Sequence, residues 1–175
     1  MTELVIGGNG SGKSAYAEKE VLAAGCGRVY YLATMRVLDE EMERKVARHR
    51  RMRAGRGWLT IEQPVDIGQA ANVISGGSSA VLLECLSNLV ANEMFRGGQI
   101  VPEDTVVQNI VAGIRRLMAC TDCLVLVSNS VFSDGITYDE GTEAYIRALG
   151  RINQEISGMA DRVTEVVAGI PVGLK

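Results

Sequence analysis

Residues 7–14 read GGNGSGKS and fit the spacing G-x-x-x-x-G-K-[ST], with Gly7, Gly12, Lys13 and Ser14 at the defining positions. Such a loop binds phosphate because successive backbone N–H groups, here including those of Gly8, Asn9, Gly10 and Ser11, can wrap one anion. The helix that follows adds the partial positive charge of its N-terminus. Lys13 would reach the β- and γ-phosphates, and the Ser14 hydroxyl would ligate Mg²⁺. A phosphate loop commonly works with an acidic residue at the end of another strand. Glu84, which closes the apolar run AVLLE, is the candidate for that second magnesium contact. Glu in place of Asp departs from the commonest form, and a carboxylate there can also cap the next helix.

A second cluster has a different character. Residues 45–53 read KVARHRRMR and hold His49, the only histidine of the chain, among Arg48, Arg50, Arg51 and Arg53. On a helix His49 and Arg53 share a face at i and i+4, with Lys45 one turn earlier. The plain reading is a solvated helix face. The chemical reading is that guanidinium groups gripping a phosphate chain keep the imidazole neutral and nucleophilic, ready to attack an α-phosphorus and form a phosphoramidate. That would be covalent nucleotidyl transfer.

Alternating strands and helices must position these groups. LVIGG is a strand ended by glycines, and KSAYAEKEVLAAG is a helix with a glycine stop. GRVYYLAT reads as a strand, 39–53 as a charged helix, and WLTIEQP as a short strand closed by Pro64. A helix is expected over 66–75, a buried strand in AVLLECLS, and a helix over 87–96. Asp104 would cap a helix over 105–119; CLVLVSN is another apolar strand, 139–160 a long helix, and RVTEVVAGIPVGLK one or two closing strands. Uninterrupted Val/Leu/Ile strands separated by helical crossovers predict an α/β fold with a mostly parallel sheet covered on both faces. No repeat or linker is visible, so residues 1–175 are expected to form a single nucleotide-binding domain.

Composition narrows the partners. With 47% hydrophobic and 22% charged residues the chain is globular, and a net charge of −3 argues against bulk binding of nucleic acid or an anionic membrane. No apolar run approaches membrane-spanning length, and Met1 and Thr2 lead straight into ELVIGG without a signal-peptide pattern, so a cytoplasmic protein is expected. The four cysteines, at 26, 85, 120 and 123, are too scattered for a disulfide framework. Cys120 and Cys123 form a C-x-x-C without a second such pair, which reads as structural thiols rather than a redox pair or half a zinc site.

Together GGNGSGKS, VYYLATMRVLDEEMERKVARHRRMR, WLTIEQP, LLECLSNLVANEMF, LVLVSNSV and GRINQEISGMADRVTEVVAGIPVGLK resemble the bifunctional adenosylcobinamide kinase/adenosylcobinamide-phosphate guanylyltransferases of cobalamin biosynthesis. The likeness runs over nearly the whole chain in order. Its most specific part is the Y-x-A-T strand followed by an acidic helix and H-R-x-x-R. The resemblance implies a P-loop NTPase fold, a homo-oligomer, most simply a trimer, and two reactions on a corrinoid substrate. ATP or GTP phosphorylates adenosylcobinamide; GTP then guanylylates a histidine, here His49, and GMP passes to adenosylcobinamide phosphate. It further implies nucleotide contacts from residues 7–14, from Ala33, Thr34 and Met35, from Arg50, Arg51, Met52 and Arg53, and from Glu62 and Glu84.

One loop departs from the pattern. Where relatives tend to read V-S-N-E-V-G-x-G-I-V-P, this chain has VSNSVFSDGITYD, with Ser130 for the Glu, Phe132 for the first Gly and no Pro. The departure over 130–138 bears on the kinase half-reaction or on corrinoid binding more than on His49. Two other readings stay open at the level of sequence: a simple small-molecule P-loop kinase with an incidental His49, and a non-catalytic nucleotide-binding regulator.

Overall fold

The computed structural model describes residues 1–36, 55, 57–74, 77–130 and 138–175. The helix expected over 39–53 therefore lies outside the described residues. Seven strands form one sheet: β1 (Thr2–Gly7), β2 (Arg28–Ala33), β3 (Leu59–Glu62), β4 (Ser79–Glu84), β5 (Cys123–Asn129), β6 (Arg162–Val167) and β7 (Ile170–Gly173). Their order is β3-β2-β4-β5-β1-β6-β7, and every neighbouring pair is parallel except β6 with β7.

The central strands are apolar throughout because both faces are covered. In β1, Leu4 enters one core and Val5 the other; in β4 and β5, Leu83 and Leu126 follow Leu4 while Leu82 and Val127 follow Val5. The first core is closed by α2 (Leu86–Met94), α3 (Glu103–Cys120) and α4 (Glu140–Met159), which bury Leu89, Ile110, Ile114 and Ile152. The second is closed by α1 (Lys13–Ala23) through Ala17 and Val21. Burying each such leucine or isoleucine contributes about 2 kcal/mol, which makes these stripes the main reason the helices form here.

The helix ends differ from expectation in two places. Helix α3 starts earlier than the expected Asp104 cap: Pro102 is the N-cap, and Asp104 sits inside the first turn with its carboxylate 2.7 Å from Arg151. Glu103 and Asp104 complement the helix dipole from within the turn instead of capping it. The helix expected over 66–75 is a single stretch of 3-10 helix, Ile67–Asn72. Gly68 lies against Gly113 of α3, where an added Cβ would stand 3.2 Å from the Gly113 Cα, so the two backbones approach closely at this turn. At α4 the Asp139 carboxylate accepts from the Thr142 N–H at 3.1 Å. Among the described residues no helix is long and apolar enough to cross a membrane.

Candidate functional site

The sheet delivers its chemistry at the C-terminal ends of its strands. Gly7 ends β1, and a Cβ there would stand 2.5 Å from the Ser11 Oγ and 2.7 Å from the Val166 carbonyl oxygen, so only glycine fits. Gly12, with φ at 90°, is the N-cap of α1, a left-handed conformation that favours glycine. Between them the loop is held on three sides: the Ser11 N–H donates to the Gly8 carbonyl at 3.2 Å, Ser130 N–H to Gly7 at 3.1 Å, and Gly169 N–H to the Ser11 carbonyl at 2.8 Å. The Ser11 hydroxyl is buried with no hydrogen-bond partner among the described residues. Asn9 and Gly10 form the exposed crest.

Lys13, the first residue of α1, is 7% exposed, and its ammonium donates to the Gly8 carbonyl at 3.0 Å. Burial lowers its pKa from the ordinary lysine value, against the opposing pull of Cys85 and Glu84. Next to it Ser14 donates its hydroxyl to Glu84 Oε1, and the Tyr31 hydroxyl donates to Glu84 Oε2 at 3.1 Å. A lysine, a serine hydroxyl and a carboxylate thus converge at one end of β4. Ser14 and Glu84 are hard oxygen donors, and among the described residues no group of three His, Cys, Asp or Glu could form a metal cage. That donor set suits magnesium, which is commonly held by one or two carboxylates together with substrate phosphates.

The parallel register places three sequence-expected residues in one row. Ala33 of β2 is opposite Glu62 of β3 on one side and Glu84 of β4 on the other. Beyond Ala33, Thr34 is buried; its N–H donates to the Glu84 carbonyl at 3.1 Å, and its hydroxyl donates to the Cys85 carbonyl at 2.8 Å. Met35 follows it, half-buried. Asn92 of α2 ties this end together, its amide donating to the Thr34 carbonyl at 2.7 Å and the Pro64 carbonyl at 3.0 Å.

Behind Lys13 lies a small polar cluster. The Cys85 Sγ is 3.0 Å from the Ser87 Oγ, which also accepts from the Asn129 amide at 2.7 Å. Burial raises the Cys85 thiol pKa and pushes the Tyr145 phenol up to about 12. The C-x-x-C pair lies elsewhere: Cys120 ends α3 with its thiol 3.4 Å from the Leu117 carbonyl, and burial pushes the Cys123 thiol up to about 11.

The structure therefore brings together Lys13, Ser14 and Glu84, and aligns Ala33, Thr34 and Glu62 along the neighbouring strand ends. His49, Arg50, Arg51, Met52 and Arg53 lie outside the described residues, as does most of the divergent loop, 131–137. Sequence reasoning did not single out Tyr31, Asn92 or Gly169. Tyr31 carried a signal, being one strand position from Tyr30 and so on the opposite face. The roles of Asn92 and Gly169 depend on carbonyls brought close only by the fold.

The family model described as cobinamide kinase / cobinamide phosphate guanyltransferase matches residues 3–174. The chain is 35% identical over 185 residues to the bifunctional adenosylcobalamin biosynthesis protein CobU of Escherichia coli strain K12, covering all of both chains. It is 34% identical over 188 residues to the protein of the same name from Salmonella typhimurium, again covering all of both. The bifunctional adenosylcobalamin biosynthesis protein CobP of Pseudomonas aeruginosa is 30% identical over 179 residues, covering 100% of this chain and 98% of the relative. Among solved structures, flagellar accessory protein FlaH from Methanocaldococcus jannaschii superposes with a TM-score of 0.51 at 13% identity, over 99% of this chain and 77% of the other, a likeness of fold alone.

Proposed function

This chain belongs to the cobinamide kinase / cobinamide phosphate guanyltransferase family, and from that premise we propose that it carries out both reactions on one corrinoid substrate within a single nucleotide-binding domain. The observation that carries the reading is the convergence of Lys13, Ser14 and Glu84 at the mouth of the phosphate loop. That arrangement handles the phosphates of ATP or GTP in either step.

In the first reaction the alcohol oxygen of adenosylcobinamide bonds to the γ-phosphorus as the bridging β–γ bond breaks. The electron pair leaves with the nucleoside diphosphate and the alcohol proton passes to solvent. Backbone N–H groups of residues 8–14 bind the phosphates, and Lys13 draws off the charge that accumulates on the leaving oxygens. Ser14 and Glu84 would hold Mg²⁺, whose chemistry when bound is to neutralise charge on the β- and γ-phosphates. Tyr31 fixes the second Glu84 oxygen and so orients the carboxylate.

In the second reaction a nitrogen of His49 bonds to the α-phosphorus of GTP and pyrophosphate leaves with the electron pair of the α–β bond. A phosphate oxygen of adenosylcobinamide phosphate then displaces the imidazole, breaking the P–N bond and forming the diphosphate of adenosyl-GDP-cobinamide. His49 is the chain's one histidine, and the arginines beside it are suited to neutralise the triphosphate during attack. Ala33, Thr34, Met35, Glu62 and Arg50, Arg51, Met52 and Arg53 complete the nucleotide contacts in this reading. The working protein is taken to be a cytoplasmic homotrimer.

The test is chemical. With α-labelled GTP and Mg²⁺, the protein should retain one GMP per chain, acid-labile and base-stable, in the peptide that contains His49. No label should be retained from γ-labelled GTP. His49→Asn should abolish the adduct while nucleotide binding survives, because the nucleophile contributes to bond formation more than to ground-state affinity. Wild-type guanylyl transfer by His49→Asn would reject the carrier role outright.

A further inference from the structure

Strand β5 lies between β4, which ends in Glu84, and β1, which runs into the phosphate loop. Its register fixes where it ends. Asn129, the last residue of β5, is opposite Gly7, the first residue of the loop, while Val127 is opposite Glu84. Asn129 therefore stands two residues, about 6–7 Å, beyond the Glu84 row, at the carboxyl edge where such sheets bind ligands. It is also tied to the loop, because the next residue, Ser130, donates its N–H to the Gly7 carbonyl at 3.1 Å.

We propose that the Asn129 side-chain amide donates a hydrogen bond to the γ-phosphate of the phosphoryl donor and holds that group in place during transfer, with Ser87 as the positioning residue that aims the amide. The assignment rests on the two-reaction reading above.

A terminal phosphate that meets Lys13, Ser14 and Glu84 lies over the end of β5, because Lys13 and Ser14 open α1 directly after the loop that β1 feeds. The neighbouring polar groups are already engaged. Thr34 gives its hydroxyl to the Cys85 carbonyl, and Ser14 gives its own to Glu84. Asn129 uses one N–H on the Ser87 Oγ at 2.7 Å and keeps its second N–H and its amide oxygen without a partner among the described residues. It is half-buried, so the amide is partly screened from water yet open to a ligand.

The amide is held from behind. Ser87 is 5% exposed, and its Oγ also lies 3.0 Å from the Cys85 Sγ. Tyr145 of α4 adjoins both groups, and burial pushes its phenol up to about 12, so it stays protonated. A fixed, neutral donor suits phosphoryl transfer, in which catalysis is mostly positioning and electrostatic stabilisation. The alcohol oxygen bonds to the γ-phosphorus, the electron pair of the β–γ bridge leaves with the nucleoside diphosphate, and the alcohol proton goes to solvent. Asn129 neither gives nor takes a proton.

The experiment compares wild type with Asn129→Ala, Asn129→Asp and Ser87→Ala in phosphorylation of adenosylcobinamide by ATP. Asn129→Ala should lower kcat about a hundredfold while KM for ATP moves by less than about threefold. Asn129→Asp keeps the shape and can still accept from the Ser87 hydroxyl, so a residue that merely braced the strand end would tolerate it. A carboxylate facing phosphate should instead lose at least as much kcat as alanine. Ser87→Ala should cost about tenfold in kcat. Guanylylation breaks the α–β bond and leaves the γ-phosphorus bonded as it was, so Asn129→Ala should slow it at least about tenfold less than phosphorylation. In parallel, Mg·ADP with aluminium fluoride, which stands in for the transferring phosphoryl group, should bind wild type more tightly than Mg·ADP alone, and Asn129→Ala should lose most of that gain. A kcat within about threefold of wild type in Asn129→Ala, wild-type activity in Asn129→Asp, or equal loss in both reactions would overturn the assignment. If wild type transfers no phosphate to the corrinoid, the two-reaction reading fails and the fluoride complex decides alone: no gain in wild type, or the same gain in Asn129→Ala, removes the contact.

Discussion

The Ser14 hydroxyl donates to Glu84, so the second residue of α1 is joined directly to the last residue of β4. The other Glu84 oxygen accepts from Tyr31 at 3.1 Å, which leaves the carboxylate little rotational freedom. Glu84→Gln removes the negative charge and keeps the shape. The magnesium concentration that half-saturates triphosphate turnover should rise about tenfold, the equivalent of about 1.4 kcal/mol. Thermal stability should change little. Tyr31→Phe should move the magnesium titration in the same direction by less. A magnesium titration of Glu84→Gln that overlays wild type would make the carboxylate purely structural.

Burial holds the Lys13 pKa below 10.5, while a bound triphosphate stabilises the protonated form. Binding at alkaline pH should therefore take up a proton. Affinity should fall as pH rises through the lowered Lys13 pKa, earlier than an unperturbed lysine would allow. The sign for folding is the reverse: the unfolded chain binds more protons in the window below 10.5, so the cost of burying Lys13 shrinks as pH rises through it. Calorimetric titration in buffers of different ionisation enthalpy measures the uptake, and a flat affinity up to the ordinary lysine range would contradict it. Lys13→Ala should lower turnover by about two to three orders of magnitude.

Gly7→Ala tests the loop without touching its charges. The added methyl would stand 2.5 Å from the Ser11 Oγ and 2.7 Å from the Val166 carbonyl. Only the serine can turn away; the carbonyl belongs to β6, so overpacking should cost about 1–3 kcal/mol. Triphosphate affinity should fall further than stability, because the displaced loop is the proposed binding surface. Wild-type affinity in this variant would show that the loop tolerates the shift.

Much of this site was legible because its parts are local. The phosphate loop is a contiguous run in which the glycines set the backbone geometry and the lysine and serine follow at fixed positions, and the apolar β4 run announced that Glu84 would stand at a strand end. Non-local relations were not legible. Nothing in the spacing of Gly169 or Asn92 tells that one meets the Ser11 carbonyl and the other bridges Thr34 and Pro64. Asp104 misled for a local reason: Pro102 two residues earlier lacks an N–H to cap, so the helix begins there and the carboxylate is left to pair with Arg151. The close approach of Gly68 in the 3-10 segment Ile67–Asn72 to Gly113 is likewise a relation that only the packed elements reveal.

Cys123 illustrates how the fold removes reactivity that a C-x-x-C suggests. With its pKa pushed up to about 11 by burial, the thiol is almost wholly protonated at neutral pH. At pH 8 the thiolate fraction is about one in a thousand, against about one in four for an unperturbed cysteine. Timed alkylation with iodoacetamide and peptide mass spectrometry should show Cys123 modified far more slowly than an unfolded control. Alkylation of native and unfolded protein at the same rate would refute the shielding.

Asn92 offers a test of how the ends of β2 and β3 are held. Its amide donates to the carbonyls of Thr34 and Pro64, joining the loop after β2 to the loop after β3. Asn92→Leu leaves both carbonyls without that donor and should cost about 1–3 kcal/mol. For a chain of this size each kcal/mol lowers Tm by about 3 °C. Asn92→Asp is more informative, because its ionised carboxylate would place negative oxygen against two carbonyls. The introduced carboxyl should have a folded pKa above its unfolded value, so stability is regained relative to wild type as pH falls through that raised pKa. Protonation restores one donor and hence at most one of the two bonds. If Thr34 and Glu62 contact GTP, KM for GTP in guanylylation should follow the same pH course in Asn92→Asp and not in wild type. A variant whose Tm difference from wild type is independent of pH would show that the two carbonyls do not depend on this amide.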